Sequence, residues 1–314
     1  MPYRITLKNQ DNLLIVANTT LTIIILTFNS ENSLAQVFGS CHKIAHRILV
    51  VDSYSTDKTV ALANSLGCEV VQHPFENYSV QRNWAQQEGG LQPESWVLHL
   101  DSDEVLSPEL ALSIQAAVRN APPEVEGFLM QRLSYFLGRP IRYGHINPSW
   151  HLRLFRVSKG FCEDRLYDQH FVVPGKTAKL KGLLLDLQLT TLEKWTAAHN
   201  RWSTAEAEEM RVQAHLQTQN PQRTLQASLR GDIRMKKRWL KTHFWYRSPL
   251  FLRGFVFFLY SYFLRLGFLD GKAGLVYHVL QSFWFRFLVD AKIWEARLDA
   301  EQRKSESEAH NRED

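Results

Sequence analysis

Two aspartates with one residue between them, Asp101 and Asp103, directly follow the apolar segment at residues 96–100. Carboxylates at the end of a buried strand supply the hard oxygen ligands of a divalent cation, and they leave coordination positions open for phosphate oxygens. The same spacing also suits a helix cap for the segment at residues 107–110. By itself, the pair indicates either a metal site or the start of a helix.

A third carboxylate, Asp52, ends a second apolar segment at residues 47–51. A carboxylate in that position can accept hydrogen bonds from a ribose or from the edge of a base. The alternative is a loop and helix start, in which Ser55, Thr56 and Asp57 cap the following helix. Because two apolar segments end in carboxylates, a binding site is favoured over two unrelated loops.

The elements that would position these carboxylates are short apolar segments that alternate with segments of helical character. Such alternation predicts a parallel sheet with right-handed crossovers. Ligands bind such sheets at the carboxyl ends of the strands, where Thr27 and Asn29 join the aspartates. The predicted strands are residues 21–26, 47–51, 68–72 and 96–100, and the predicted helices are residues 31–41, 57–66 and 78–88.

Residues 127–189 are richer in glycine, proline and aromatic residues, and their segments 127–133 and 151–157 have the pattern of strands. We interpret this region as the second half of the same domain. Residues 191–213 then have helical periodicity, with an aromatic stripe that is more typical of packing than of a site.

Composition and targeting signals indicate a folded intracellular protein. The chain has 314 residues, of which 45% are hydrophobic, so it can bury a substantial core. Its three cysteines form no Cys-x-x-Cys pair, which argues against a disulfide framework and a zinc site. Residues 1–20 lack the continuous apolar stretch of a signal peptide. We expect an extension at 1–20, the main domain at 21–190, a helical region at 191–300 and a charged flexible tail at 301–314.

A basic cluster at residues 230–253 overlaps a segment at residues 243–294 that is dense in aromatic residues and leucine. Charged residues interrupt that segment too often for a simple transmembrane helix. Aromatic residues interleaved with arginine, next to a basic cluster, predict helices that lie in the interface of an anionic membrane. The alternatives are a helical subdomain packed on the first domain and a dimer interface. A nucleic-acid partner is disfavoured, because the aromatic segment suits lipid better.

Several common nucleotide and hydrolase motifs are missing. No Gly-x-Gly-x-x-Gly follows the first predicted strand, and the chain has no phosphate-binding Gly-x-x-x-x-Gly-Lys-Ser/Thr loop. Gly-x-Ser-x-Gly is also absent, which argues against an α/β-hydrolase. Nucleotide recognition would therefore depend on carboxylates and a metal ion.

Taken together, these segments resemble the family 2 glycosyltransferases of GT-A fold, and within them the lipopolysaccharide-core β-1,4-glucosyltransferases. The resemblance covers residues 21–189, and it is clearest in Leu-His-Leu-Asp-Ser-Asp-Glu at residues 98–104. The other matching segments are residues 23–29, 48–59, 81–83, 152–155 and 265–271.

The resemblance implies an α/β GT-A sheet with helices on both faces, and the basic and aromatic pattern described above predicts membrane-associated C-terminal α-helices after it. It implies that Asp52 contacts the uracil or ribose of the donor and that Arg82 helps to hold the donor. Asp101 would contact the ribose or the metal, and Asp103 would bind the metal on the donor diphosphate.

The resemblance also implies a carboxylate base beyond the second set of strands. The branch has a His-Glu pair where this sequence has Tyr167 and Asp168. Asp168 is therefore the first candidate for the base, and Glu163 and Asp164 compete with it.

The implied activity is inverting transfer of a hexose from a nucleotide-diphosphate sugar, such as a UDP-sugar, with Mg²⁺ or Mn²⁺. The acceptor would be a glycan or a lipid-linked molecule in cell-envelope polysaccharide or lipopolysaccharide biosynthesis. The implied location is peripheral, on the cytoplasmic face of the inner membrane. Alternatives are a polyprenyl-phosphate sugar synthase and a non-catalytic membrane-surface scaffold.

Overall fold

The computed structural model describes residues 20–165, 168–215 and 224–313. Within these ranges the chain forms a large mixed sheet with helices on both faces, and a second helical layer at its C-terminal end. The strands are β1 (Leu21–Thr27), β2 (Arg47–Asp52), β3 (Glu69–Gln72), β4 (Trp96–Asp101), β5 (Glu104–Leu106), β6 (Val125–Phe136), β7 (Arg139–Pro140), β8 (Ser149–Arg156), β9 (Phe161–Cys162), β10 (Phe171–Val172) and β11 (Lys176–Asp186).

The helices fall into two groups, one between the first strands and one after the last. Short π-helical segments at Lys241–Trp245, Tyr260–Leu264 and His278–Trp284 interrupt the second group, and Gly267–Asp270 is a 3₁₀ turn. The α-helices are α1 (Leu34–Cys41), α2 (Thr59–Ser65), α3 (Tyr78–Glu88), α4 (Pro108–Asn120), α5 (Leu192–His215), α6 (Ile233–Leu240), α7 (Leu252–Leu259), α8 (Gly271–Tyr277) and α9 (Phe285–Glu313).

The main sheet has the strand order β3-β2-β1-β4-β8-β6-β11-β5, and β7 pairs with β6. The first four strands of this order are parallel, whereas β8 runs antiparallel to both β4 and β6. In the register, Thr27 lies opposite Asp52 and Leu26 lies opposite Asp101. The carboxyl ends of β1, β2 and β4 therefore meet at one edge of the sheet.

The continuous apolar runs of the parallel strands arise because both faces of the sheet are covered. Along β1, Ile23 and Ile25 pack in a core with side chains of α1, α2 and α4, whereas Ile24 packs on the opposite face with Ala85 of α3. The predicted α/β sheet with helices on both faces is confirmed. The four predicted parallel strands are present, with their ends shifted by a single residue at most.

Two features of the domain differ from the sequence prediction. The aspartate pair leads into the short strand β5, and the cap of α4 is Ser107, whose hydroxyl accepts a hydrogen bond from the Leu110 N–H at 3.2 Å. Neither Ser55 nor Thr56 caps α2, and it is Asp57 that accepts from the Thr59 N–H at 2.9 Å.

The C-terminal helices pack on the end of the domain. Trp195 of α5 and Tyr277 of α8 share a buried cluster with Phe136 at the end of β6. Further along α5, Ala207 packs against Phe285 and neighbouring apolar residues of α9. Helix α9 then continues through the charged segment predicted as a flexible tail, as far as Glu313.

Among the described residues no single helix is both long enough and apolar enough to cross a membrane. One bent pair of helical segments, Leu252–Leu264 and Gly267–Glu306, meets the length and composition of a span when taken together, with a bend of 72° between its parts.

Candidate active site

Asp52 is fully buried at the end of β2 and organises the loop that follows. Its carboxylate accepts hydrogen bonds from the Thr27 hydroxyl at 2.9 Å and the Gln72 amide at 3.2 Å. It also accepts from the Ser55 N–H at 2.8 Å and from the Ser55 hydroxyl. Burial by itself would raise the pKa of Asp52, but these hydrogen bonds together have the larger effect, so the pKa lies below its ordinary value. The side chain is thus a fixed carboxylate that shapes the loop, and its predicted contact with the nucleotide stays a prediction.

The ends of β1 and β2 are tied together by side chain to backbone hydrogen bonds. Asn29 has a φ of 49°, and its side-chain oxygen accepts from the Thr56 N–H at 2.9 Å while its own N–H donates to the Ser55 hydroxyl at 2.8 Å. Two aromatic side chains beside this junction are largely exposed, Phe28 by 61% and Tyr54 by 54%. Exposed rings at a strand end suit stacking on a base. The sequence offered no reason to assign them a role, although both residues closely follow a predicted strand.

Asp101 is held between two arginines. One carboxylate oxygen accepts from Arg82 at 2.8 Å, and the other accepts from Arg153 at 2.7 Å. Arg153 also donates to the buried Glu104 at 2.8 Å. Burial raises the pKa of Asp101, yet the guanidinium groups of Arg153 and Arg82 hold it far below its ordinary value.

This network adds a structural role to the roles predicted for two residues. Each oxygen of Asp101 accepts one arginine hydrogen bond and keeps a second lone pair, so its predicted contact with the ribose or the metal stays a prediction. Arg82 is buried, and its guanidinium lies 5.4 Å from the ring centre of Phe171. Asp101 and Arg82 thus belong to an ion-pair network at the site, and the predicted part of Arg82 in holding the donor stays a prediction. Arg153 was missed as a functional residue, although it lies inside the Leu-Arg-Leu-Phe segment that carried the resemblance.

Asp103 differs from its neighbours because it has no cationic partner. In the described parts of the chain its half-buried side chain makes no ion pair and no hydrogen bond with another side chain. Burial and the carboxylates of Asp186, Asp101 and Glu104 raise the pKa of Asp103 well above its ordinary value. A cation at this position would remove the repulsion and stabilise the ionised form.

Asp103 could bind a divalent cation whose other ligands come from the substrate and from water. Across residues 20–165, 168–215 and 224–313, no group of three or more His, Cys, Asp or Glu side chains is arranged to hold a metal ion. Mg²⁺ in particular is commonly bound by one or two carboxylates, with substrate phosphates and water as the other ligands. Asp103 fits the position of such a protein ligand.

Asp186, at the end of β11, is a further member of the site. It lies opposite Glu104 in the sheet, and the adjacent Leu187 N–H donates to the Asp103 carbonyl at 3.0 Å. Its carboxylate accepts from the Ser134 hydroxyl at 3.1 Å. The sequence analysis missed Asp186 because β11 was not predicted, and only the pairing of β11 with β5 brings this residue to Asp103.

Glu163, one candidate for the base, is fully buried and saturated with donors. Its carboxylate accepts from Arg238 at 2.7 and 3.1 Å and from the N–H groups of His170 and Leu225, both at 2.9 Å. Such a carboxylate stabilises the fold and cannot reach a substrate hydroxyl. Asp164, the next candidate, is exposed.

Asp168, the first candidate for the base, is half-buried and ion-paired; Tyr167 lies outside the described residues. The Lys241 ammonium is 3.1 Å from the Asp168 carboxylate and equally 3.1 Å from Glu206, and His170 lies 3.8 Å from Asp168. Burial raises the pKa of Asp168, but Lys241 and the surrounding cationic groups bring it far below its ordinary value. Asp168 is thus a partly accessible carboxylate, but its low pKa makes it a weaker proton acceptor, and its role as the base stays a prediction.

The basic cluster at residues 230–253 is partly internal, so only its exposed members could meet lipid, and the predicted membrane contact stays a prediction. Arg234, Arg238 and Lys241 are spaced by four and three residues and so share one face of a helix. Arg234 donates to the Phe171 carbonyl at 2.6 Å, and the other two hold the segment that contains Glu163 and Asp168. Arg253 is buried in an ion pair with α9. The exposed members of the cluster are Arg230, Lys236, Lys237 and Arg247.

Residues 22–181, about half of the chain, match the family model described as Glycosyl transferase family 2. The chain belongs to glycosyl transferase family 2. The matched range contains Asp52, Asp101, Asp103 and Asp168, and it ends before Asp186. Family membership and the observed sheet, in which four parallel strands are followed by strands of mixed direction, agree with the predicted GT-A fold class.

Among curated proteins, the chain is similar to an uncharacterized glycosyltransferase of Rickettsia conorii, with 41% identity over 91 residues. That match covers 29% of this chain and 31% of the rickettsial protein. The chain is also similar to the lipopolysaccharide core biosynthesis glycosyltransferase LpsC of Rhizobium meliloti, with 26% identity over 196 residues, which are 60% of this chain and 71% of LpsC.

Among solved structures, the chain is similar to glucosyl-3-phosphoglycerate synthase from Mycobacterium tuberculosis, crystallised with Mn²⁺, UDP and glucosyl-3-phosphoglycerate. The match has 19% sequence identity and a TM-score of 0.32. It covers 38% of this chain and 45% of the mycobacterial chain. The family assignment rests on the family model and not on this partial likeness.

Proposed function

We propose that this family 2 member is an inverting glycosyltransferase that transfers a hexose from a nucleotide-diphosphate sugar to a glycan or lipid-linked acceptor. The proposal rests on Asp103, a carboxylate at the carboxyl end of the parallel strands that has no cationic partner among the described residues. A divalent cation, Mg²⁺ or Mn²⁺, would neutralise the charge that grows on the leaving diphosphate when bound there.

The chemistry requires one displacement at the anomeric carbon. Asp168 would accept the proton of the acceptor hydroxyl while that oxygen attacks from the face opposite the departing nucleoside diphosphate. A single displacement inverts the configuration. The ion pair with Lys241 would keep Asp168 ionised and would fix its position near the site.

A UDP-sugar is the donor that we propose. Asp52 and Asn29 would hold the β1 and β2 ends in the shape that receives the nucleotide. The exposed rings of Phe28 and Tyr54 offer apolar faces for the uracil. Asp101 would contact the ribose or the metal and Arg82 would help to hold the donor, while their ion pair supports the turn that carries Asp103.

Lipopolysaccharide or another cell-envelope polysaccharide is the pathway class that we propose, and the similarity to LpsC supports it. A polyprenyl-phosphate sugar synthase would use the same donor side with a different acceptor. Assays with extracted polyprenyl phosphate, with lipid A-core and with soluble oligosaccharides would separate these two acceptors. A non-catalytic scaffold would have no use for the charge arrangement around Asp103.

The direct test is a screen of nucleotide-sugar hydrolysis by the purified full-length protein. We expect one UDP-hexose to release UDP slowly, and we expect the release to need Mg²⁺ or Mn²⁺ and to stop on addition of a chelator. Hydrolysis by water is expected because the metal-bound diphosphate is already a good leaving group. Absence of turnover and of metal-dependent binding with every donor would contradict the proposal.

We further propose that the protein is peripheral on the cytoplasmic face of the inner membrane. The region from α7 to α8 presents apolar side chains to solvent, which is unusual for a monomeric protein surface. Exposed Arg247 and Lys272 accompany them and would pair with anionic lipid phosphates. The exposed apolar residues of this region are Leu252, Phe255, Val256, Leu259, Tyr260, Phe263, Leu264, Leu266, Phe268, Leu269, Leu275 and Val276.

Leu264→Glu should release the protein from anionic vesicles, because a charge would enter the layer in which this side chain, 76% exposed in the structure, is proposed to lie. Flotation with vesicles that contain phosphatidylglycerol measures the effect. High salt should weaken the wild-type binding only in part, since apolar burial and charge both contribute.

Leu112→Glu is the matched control, because Leu112 is similarly exposed, 67%, but lies on α4 of the sheet domain. It should float like the wild type. A wild-type protein that never floats and instead sediments as a dimer would show that this apolar surface is a subunit interface.

A further inference from the structure

Two cationic side chains contact the segment at residues 147–149, where β8 begins, and a third cation, Arg132, comes from the neighbouring strand β6. The Arg265 guanidinium donates to the Asn147 carbonyl at 2.8 Å, and the Lys237 ammonium donates to the adjacent Pro148 carbonyl at 3.4 Å. Arg132 of β6 is the register partner of Ser149. One cation comes from the sheet and two come from the C-terminal helices, so only the folded chain assembles this group.

The positive charge of the group is incompletely balanced. Within the described residues Lys237 and Arg265 form no ion pair with a carboxylate. Arg132 forms one ion pair, with Asp186 at 3.6 Å, and also interacts electrostatically with Glu104, but its buried Nε has no hydrogen-bond partner. Burial lowers the pKa of Lys237, and Arg265 and Arg132 lower it too, whereas Asp168 has the opposite effect. Lys237 is thus repelled by both Arg265 and Arg132.

The group lies between the two halves of the proposed catalytic machinery. On one side, Arg132 reaches Asp186, which is a neighbour of Asp103. On the other side, Lys237 is close enough to Asp168 for the two charges to affect each other. An anion bound by the group would therefore sit near both the base and the leaving diphosphate, where the acceptor must approach.

We propose that Arg132, Lys237 and Arg265 form a subsite for a phosphate group carried by the acceptor. Guanidinium and ammonium groups make charge-assisted hydrogen bonds with phosphate oxygens, and convergent donors select a dianion over a neutral hydroxyl. This proposal rests on the proposed function, because it concerns a charged group on the acceptor of that reaction. It holds the phosphate at a fixed distance from the hydroxyl that Asp168 deprotonates.

Calorimetric titration with inorganic phosphate, at constant ionic strength, tests the subsite on the full-length protein. Lys237→Ala and Arg265→Ala should each weaken phosphate binding by about tenfold or more. Lys236→Ala is the matched control, because Lys236 is an exposed lysine next to Lys237 that contacts none of these groups. It should leave phosphate binding unchanged. Titration of UDP with Mg²⁺ should give the same affinity in the wild type and all three variants.

The outcomes separate the possible sources of the phosphate. If Lys237→Ala weakens UDP and inorganic phosphate equally, the group binds the donor diphosphate, and the acceptor assignment is wrong. If the variants lose flotation with phosphatidylglycerol vesicles but keep their affinity for inorganic phosphate, the group binds lipid headgroups instead. Equal loss in Lys236→Ala, or no phosphate binding in the wild type, would also overturn the subsite. Failure of UDP binding with metal, while phosphate binding persists, would count against the proposed function alone.

Discussion

Asp103→Asn should lower sugar transfer by a factor on the order of 10² to 10³, because it removes the anionic ligand that holds the cation on the leaving diphosphate. Metal-dependent binding of UDP should be lost as well. Transfer rates at saturating metal and calorimetric titration of UDP with and without metal measure the two effects. Asparagine keeps the size of the side chain, so any loss reflects its charge.

The stability of this variant provides the control. Asp103 is repelled by Asp186, Asp101 and Glu104 in the metal-free protein, and the neutral amide removes that repulsion. The melting temperature of metal-free Asp103→Asn should therefore equal or exceed that of the wild type. Full activity at saturating metal would refute the assignment of Asp103, and a lowered melting temperature would show that the carboxylate supports the fold.

Asp168→Asn should lower kcat by a factor on the order of 10² to 10⁴ and leave the KM for the donor nearly unchanged. The amide cannot accept the proton of the acceptor hydroxyl, whereas the metal site is separate and stays intact. Lys241 keeps Glu206 as a partner, so the fold should tolerate the change. Steady-state kinetics with varied donor at saturating acceptor separate kcat from KM.

Variants of the two competing carboxylates distinguish catalysis from stability. Asp164→Asn alters an exposed side chain and should change neither rate nor stability appreciably. Glu163→Gln leaves the buried Arg238 without its anionic partner and should lower the free energy of unfolding by about 3–5 kcal/mol. A loss of kcat in Asp164→Asn, with normal kcat in Asp168→Asn, would show that the base was misassigned.

The parallel half of the sheet could be predicted from the sequence because its signals are local. Each of its strands is a short apolar run flanked by polar residues, and burial on both faces requires such runs. The carboxylates at the strand ends follow from the same reasoning, since parallel strands bring their carboxyl ends to one edge. That was sufficient to place Asp52 and Asp101 beside β1, and Asp103 just beyond β4.

The second half of the site was less predictable because its contacts join residues far apart in the chain. Strand β11 alternates weakly between buried and exposed positions and was not predicted, so Asp186 was missed. The basic residues of α6 were visible in the sequence, but a run of like charges does not reveal which face of the helix is covered by the rest of the protein. The structure shows that Arg234, Arg238 and Lys241 turn inward to hold the segment around Asp168.

The sequence by itself therefore determined the parallel strands and the acidic character of the site, because residue type and short-range periodicity encode them, and its motifs carried the resemblance to the family. Only the tertiary structure decided which carboxylates are free to act. Asp101 and Glu163 are bound by arginines from distant segments, whereas Asp103 is left without a cation. The reason is physical: the charge state and availability of a carboxylate depend on burial and on neighbours within a few ångströms, and folding alone selects those neighbours.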